Sequence, residues 1–289
     1  MKSPREEGVL WGPKAVASGT KAFADAITLI GEDTIEDFDS LKDSWANNET
    51  LFKDVSFGGG TYSVVVFGKN SSGEEGIDHY GLTDEERKIN INHAPTEVLS
   101  RLFQVKGDLS APVAGDIARF IVDWRDTNTS QEKTNQPEDC SYLSFPSHCK
   151  NLGFEILEEL FWIPGMSVSL FRSIKEDVTL YGEGRTNINT ATETSLMAHG
   201  LSAEGASKIV KWREARNVFE NVSWITGRAY EFELGPSDME TLAKVASSGL
   251  FGLRSSAFQG VVQAKFGERV RGQVRFIVDR NGELKSWWE

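Results

Sequence analysis

Apolar residues return every three to four positions between Pro13 and Glu32, at Val16, Phe23, Ile27 and Ile30. That spacing predicts an amphipathic helix with Pro13 in its first turn, where a missing N–H costs nothing. Phe38, Leu41 and Trp45 mark a second amphipathic stretch, which ends near Asn47-Asn48. Gly58-Gly59-Gly60 then breaks the chain, and the β-branched and aromatic run Thr61 to Phe67 predicts a strand. From Arg87 to about Leu250 the pattern turns helical, with three-to-four spacing in Glu97–Phe103, Asp116–Trp124, Glu155–Phe161 and Ala203–Trp212. After Gly249 it returns to strands at Ala257–Phe266, Val270–Asp279 and Leu284–Trp288, the last two joined by the hairpin signal Asn281-Gly282.

One early strand followed by a long helical block and then three strands implies a discontinuous domain, because a lone strand leaves its backbone groups unpaired. The expected class is α+β: an N-terminal helix and an antiparallel sheet built from residues 1–86 and 251–289, interrupted by an all-helical insertion. The insertion repeats itself. Lys88 to Leu99 (KININHAPTEVL) aligns with Arg185 to Leu196 (RTNINTATETSL), pairing Asn90, Ile91, Asn92 and Ala94 with Asn187, Ile188, Asn189 and Ala191. Downstream, Ile121–Asp126 (IVDWRD) aligns with Ile209–Glu214 (IVKWRE), and the second copy has the shorter connection. Two motifs in one order define two repeats, residues 87–180 and 181–250.

Asn92 and Asn189 are placed to cap the helices that follow, with Glu97 and Glu193 early in those helices and Pro95 tolerated in a first turn. Paired helices of this kind suggest a helix-hairpin-helix or sterile-alpha-motif module. Its DNA-gripping form needs a Gly-x-Gly turn, and neither Lys106-Gly107-Asp108-Leu109 nor Gly200-Leu201-Ser202-Ala203 supplies one.

Charge points the same way. Across 289 residues, 31 Lys plus Arg face 43 Asp plus Glu, a net of −12, the wrong sign for gripping nucleic-acid backbones. Residues 1–86 are strongly acidic and 251–289 mildly basic, which implies that the two ends pack together. No apolar run is long enough to span a membrane, and the N-terminus lacks a signal-peptide core. Gly-x-Ser-x-Gly, phosphate-loop and His-Glu-x-x-His patterns are absent, so a non-enzyme is expected. The histidines at 79, 93, 148 and 199 are scattered, which argues against zinc. Cys140 and Cys149 could close a small disulfide loop or remain free thiols, depending on the compartment. Trp287-Trp288 are expected to pack on the sheet.

Several stretches together carry a family resemblance: FDSLKDSWANNETLFKDVSFGGGTYSVVVFG, LTDEERKININHAPTEVL, DWRDTN, NLGFEILEELFWIPGM, RTNINTATETSL and IVDRNGELKSWWE. In this order, over essentially the whole chain, they resemble the K-type minor pseudopilins of the type II secretion system (general secretion pathway protein K). The resemblance implies a pilin-like scaffold carrying the helical insertion, and a role capping the tip of the pseudopilus and starting its assembly. It implies I-type and J-type minor pseudopilins as partners through the N-terminal helix, at Val16, Phe23, Ile27 and Ile30, with secreted substrate proteins as further partners and no nucleic acid. Relatives bind calcium in the loop after Trp124, so Asp126, Asn128, Glu138 and Asp139 are the implied ligands, oxygen donors of the kind calcium prefers. In the implied periplasmic location, a Cys140–Cys149 disulfide would pin that same loop. Relatives start with a basic leader and an apolar anchor helix in the inner membrane. Neither precedes Met1 here, so a soluble ectodomain starting after the anchor is expected.

Overall fold

The computed structural model describes residues 4–32, 37–69, 75–126, 150–215, 217–267 and 269–288. The chain begins with α1 (Pro4–Glu32) and reaches the short α2 (Glu49–Phe52) through turns, then runs through β1 (Val55–Phe57), β2 (Gly60–Lys69), β3 (Glu75–Tyr80) and β4 (Thr83–Asp84). A largely helical stretch follows: β5 (Ile89–Asn90), α3 (Thr96–Gly107), α4 (Ala111–Arg125), a 3-10 turn (Leu157–Trp162), α5 (Val168–Ile174) and β6 (Val178–Thr179). It continues through β7 (Thr186–Asn187), α6 (Glu193–Ala198), α7 (Ala203–Glu214), α8 (Val222–Gly227), a 3-10 turn (Ala229–Phe232), α9 (Pro236–Ser247) and β8 (Phe251–Gly252). Three strands close the chain: β9 (Ala257–Phe266), β10 (Arg269–Asp279) and β11 (Leu284–Trp288). Two compact units result, Met1–Glu85 with Arg254–Glu289, and Glu86–Leu253.

The first unit is a seven-stranded antiparallel sheet in the order β1-β2-β9-β10-β11, with β3 also on β2 and β4 on β9. The early strand finds its partner across the insertion: Thr61–Val64 pair with Lys265–Val262. One face of α1 packs against β9 and β10, burying Ala22, Ala26, Leu29 and Ile30 with Tyr62, Val64, Val262 and Phe276. The acidic N-terminal part and the basic C-terminal strands do meet, in the ion pairs Asp39–Arg280 and, at 3.2 Å, Asp54–Lys265. Ser255 is held by every polar group it has. Its N–H donates to Asp39, its Oγ donates to Asp84 at 2.6 Å, and its carbonyl accepts from Arg280 Nε at 2.9 Å. Gly282, with φ +82°, turns the β10–β11 hairpin.

Three elements differ from expectation. The helix starts at Pro4, so Pro13 lies inside α1 and not in its first turn. Residues 38–47 form turns, because Asp43 accepts from Ser40 N–H, Ser40 Oγ and Trp45 Nε1, local bonds that compete with a helix. The 155–161 stretch tightens into the 3-10 turn over Leu157–Trp162 and ends at Pro164-Gly165.

The second unit contains two stretches built alike. Each opens on a two-residue strand, turns through Asn-Ile-Asn, runs through a helix pair (α3–α4, α6–α7) and further helical segments, and ends on a strand paired parallel with its first. Ile89 and Asn90 pair with Val178 and Thr179, and Thr186 and Asn187 pair with Phe251 and Gly252. α3 packs against α6, and Ser195 Oγ donates to the Arg87 carbonyl at 2.6 Å, so the two stretches share one body.

Candidate assembly surface

Helix α1 separates cleanly into two faces. Ala15, Ser18, Gly19, Ala22, Ala26, Leu29 and Ile30 are buried, and Phe23 and Ile27 are half-buried against the same core. The Phe23 ring meets Phe276 edge-on at 5.4 Å between centroids. A Cβ on Gly19 would fall 2.8 Å from Trp287 Cη2, so the helix comes this close to β11 only with glycine there. Tyr62 on β2 donates to Asp25 Oδ2 at 2.6 Å, and burial first, then that bond, pushes its phenol well above the usual range. Three of the four residues expected to bind partners are occupied within the chain. Phe23, Ile27 and Ile30 pack against this chain's own sheet, and Val16 is half-buried. Apolar periodicity marks whichever face is covered, and here the covering surface is intramolecular.

The opposite face carries Ala17, Thr20, Lys21, Ala24, Thr28 and Gly31, all exposed. Thr20 and Thr28 donate to the Val16 and Ala24 carbonyls at 3.1 Å each, so their hydroxyls are satisfied within the helix. Thr20, Ala24 and Thr28 stand one turn apart in a low ridge of the kind that lets another helix approach closely.

In the second unit the expected caps also have another role. The N-caps of α3 and α6 are Pro95 and Thr192, and Thr192 Oγ1 accepts from Ser195 N–H at 3.0 Å. Asn92 and Asn189 instead reach far along the chain. Asn92 Oδ1 accepts from Phe154 N–H at 2.7 Å, and its Nδ2 donates to the Phe154 carbonyl at 3.0 Å. Asn189 does the same to Phe219, at 2.8 and 2.9 Å. The first asparagine of each motif supports the second: Asn90 Oδ1 and Asn187 Oδ1 accept from the backbone N–H groups of Asn92 and Asn189 at 2.8 and 2.9 Å.

The second shared motif completes each clasp. Trp124 stacks on Phe154 at 6.3 Å, and Trp212 tilts against Phe219 at 4.8 Å. The adjoining Arg125 donates to the Ile91 and Ala94 carbonyls, and Arg213 to those of Ile188 and Ala191. Burial lowers both guanidinium pKa values to about 10; Asp126 partly offsets this at Arg125, and Arg87 adds to it at Arg213. Asparagine, tryptophan and arginine in each copy therefore form one device that pins a returning loop.

Of the implied calcium ligands, Asp126 is described: it is the half-buried C-cap of α4, its N–H bonded to the Val122 carbonyl. Asn128, Glu138, Asp139, Cys140 and Cys149 lie outside the described residues. Among the described residues no three His, Cys, Asp or Glu side chains gather as a metal site. None of the described helices is long and apolar enough to cross a membrane. A groove between α3 and α4 is lined by Glu97, Arg101, Gln104, Asp116 and Arg119, its acids and bases mixed and Asp116 paired with Arg119.

No protein-family model and no curated protein matches the chain. Among solved structures, it shares its fold with a chain of the GspK–GspI–GspJ complex from the type 2 secretion system of enterotoxigenic Escherichia coli. The TM-score is 0.68 at 18% identity, over 97% of this chain and 96% of that one.

Proposed function

We propose that the chain is the periplasmic part of a K-type minor pseudopilin, a non-enzymatic subunit that caps the pseudopilus tip and helps start its assembly with I-type and J-type partners. The observation that carries this reading is a shared fold over nearly the full length of both chains. The match spans the sheet-and-helix unit and the helical insertion alike. The sequence motifs add independent support, because Asn-Ile-Asn, Trp-Arg and the closing hairpin each have a structural role in this fold.

A filament of laterally packed pilin helices is crowded along its shaft. The insertion, residues 86–253, adds a second folded body to the sheet-and-helix unit, a bulk that suits an end position. The partner-facing side of α1 is assigned to the exposed ridge of Ala17, Thr20, Ala24, Thr28 and Gly31, since its apolar side is already covered. Asp126 with Asn128, Glu138 and Asp139 is carried as the calcium loop, and Cys140–Cys149 as its disulfide. Contact with secreted proteins at the tip belongs to the same proposal.

The test is size-exclusion chromatography of this chain with soluble I-type and J-type pseudopilins, in calcium and in chelator. A stoichiometric complex in calcium is expected, and its loss in chelator would make the metal loop structural. A chain that stays monomeric under both conditions would overturn the assembly reading.

A further inference from the structure

Arg228, at the end of α8, lies between two indoles, its guanidinium carbon 5.3 Å from the Trp212 ring centre and 4.9 Å from that of Trp224. Its Nε and Nη2 donate to the two oxygens of Glu231 at 2.7 and 2.8 Å, and Trp212 Nε1–H donates to Glu231 Oε2 at 3.1 Å. Those bonds, from Arg228 first and then Trp212, hold the Glu231 carboxyl below the usual carboxylate range. Beside this set stands Tyr230, 73% exposed, the most exposed large apolar or aromatic side chain among the described residues, and Trp224 is partly exposed. Glu220 is exposed too and has no ion pair among the described residues. Tyr230 and Glu220 both lie close enough to act on the Arg228 charge. Two carboxylates therefore face one guanidinium, and residues 214–240 as a whole hold six acidic side chains against two basic ones.

The clasp itself does not require this arrangement. In the first copy Glu159 holds the matching place, just before the buried Leu160 as Glu231 stands before the buried Phe232. There the carboxylate takes Lys150 at 3.0 and 3.1 Å, and the Trp124 indole N–H has no partner. Tryptophan, tyrosine and arginine, held rigid and partly open to solvent, are the residue types that dominate the centres of protein interfaces. We propose that the surface formed by Tyr230, Trp224 and Glu220 docks an arginine or lysine side chain of a partner protein. The incoming cation lies on the Tyr230 ring and pairs with Glu220, repeating between chains the stacking that Arg228 makes within this one. Arg228 and Glu231 compensate each other and fix the rings, which leaves Glu220 as the carboxylate for the second cation. A neutral glycan could stack on the same rings but would leave that charge unused.

The experiment follows the indole N–H resonance of Trp224 in the whole chain, assigned with Trp224→Phe, during titration at physiological ionic strength. The probes are acetyl-Gly-Arg-Gly amide and its citrulline counterpart, which has the same shape without the charge. The arginine peptide is expected to shift the resonance saturably, half-maximally at about millimolar concentration, and the citrulline peptide to bind at least about fivefold more weakly. Tyr230→Ala and Glu220→Gln should each weaken the arginine peptide by about twofold to fivefold. Both side chains are exposed, so both variants should melt within about a degree or two of the parent. No shift, equal binding of the two peptides, or parental binding by either variant would overturn the proposal. A response to chitotriose with none to the arginine peptide would also overturn it and assign the surface to a glycan. The titration uses no pseudopilin, so its outcome is independent of the assembly reading.

Discussion

The side-chain amide of Asn189 grips the backbone of Phe219 on both its polar atoms, accepting from the N–H at 2.8 Å and donating to the carbonyl at 2.9 Å. Only a primary amide of this length can accept and donate side by side. Asn189 is fully buried and Asn92, in the matching clasp on Phe154, is half-buried. Replacing Asn189 with alanine strands two buried backbone groups at a cost of about 3 kcal/mol, whereas water can partly replace Asn92, for about 1–2 kcal/mol. Asn189→Asp should be at least as damaging as alanine, since it sets a carboxylate against a carbonyl. Urea midpoints of the three variants test the order. Equal, small effects would mean that the clasp contributes little.

The clasp predicts where the chain tolerates cutting. Asn151 N–H donates to the Trp124 carbonyl at 2.9 Å, and in the second copy Asn217 Nδ2 donates to Trp212 at 2.8 Å. Both connections are thus tied at the base, although the first is far longer in sequence. Excising residues 127–149 and joining Asp126 to Lys150 through a Gly-Ser pair should leave a cooperatively folded chain. The shorter closure contributes about 1 kcal/mol of stability. The same variant tests the metal proposal. Calcium should raise the melting temperature of the full chain and leave the excised one unchanged; a calcium shift that survives excision would place the metal elsewhere.

What the sequence made legible follows the range of the interactions. Local signals held: the Asn281-Gly282 turn, the strand Thr61–Phe67 inside β2, and β9 to β11 all depend on neighbours a few residues away. The interrupted layout was readable because an unpaired strand demands a partner, and the observed crossings fall beside Glu85 and Arg254. Asn92 and Asn189 were misread as caps because a cap is the local option, while their partners, Phe154 and Phe219, are set by tertiary closure. The shared Trp-Arg motif was the available clue, since a duplicated arginine beside a duplicated asparagine motif suggests that the two touch. The Asp238–Ser202 contact left no periodic trace, because it joins α7 and α9 through one serine.

His199 gives the fold a predictable acid sensitivity. The ring is buried at the end of α6, with Nε2 bonded to Thr186 Oγ1 at 2.9 Å and an edge against Phe251 at 4.8 Å. Burial first, and then the Arg101 charge, lower its pKa to about 4. Between pH 6.5 and about 4 the unfolded chain takes up a proton that the folded chain refuses, so stability falls as pH falls through that window. The full loss is about 3 kcal/mol and is complete only below pH 4. His199→Gln should flatten this part of the profile even if it lowers stability at neutral pH. Urea midpoints at pH 7.5, 5.5 and 4.5 check this; an unchanged slope in the variant would shift the acid sensitivity to other groups.

The two faces of α1 separate folding from assembly, and one pair of adjacent residues tests the division. Phe23 packs edge-on against Phe276 in the core, and Ala24 stands exposed on the ridge. Phe23→Asp buries a charge against an aromatic ring and removes apolar contact, which should cost about 3–5 kcal/mol and loosen the sheet unit. Any loss of partner binding in that variant would follow from the damaged fold. Ala24→Trp, by contrast, adds bulk only on the solvent side and should leave the melting temperature within about a degree or two of the parent. If Thr20, Ala24 and Thr28 form the ridge against which partner helices pack, that bulk prevents close approach, and Ala24→Trp should not co-elute with I-type and J-type pseudopilins. Lys21→Ala, on the flank of the ridge, should assemble normally. Normal assembly of Ala24→Trp would move the partner interface off this helix face, while a folded Phe23→Asp that fails to assemble would return it to the apolar side.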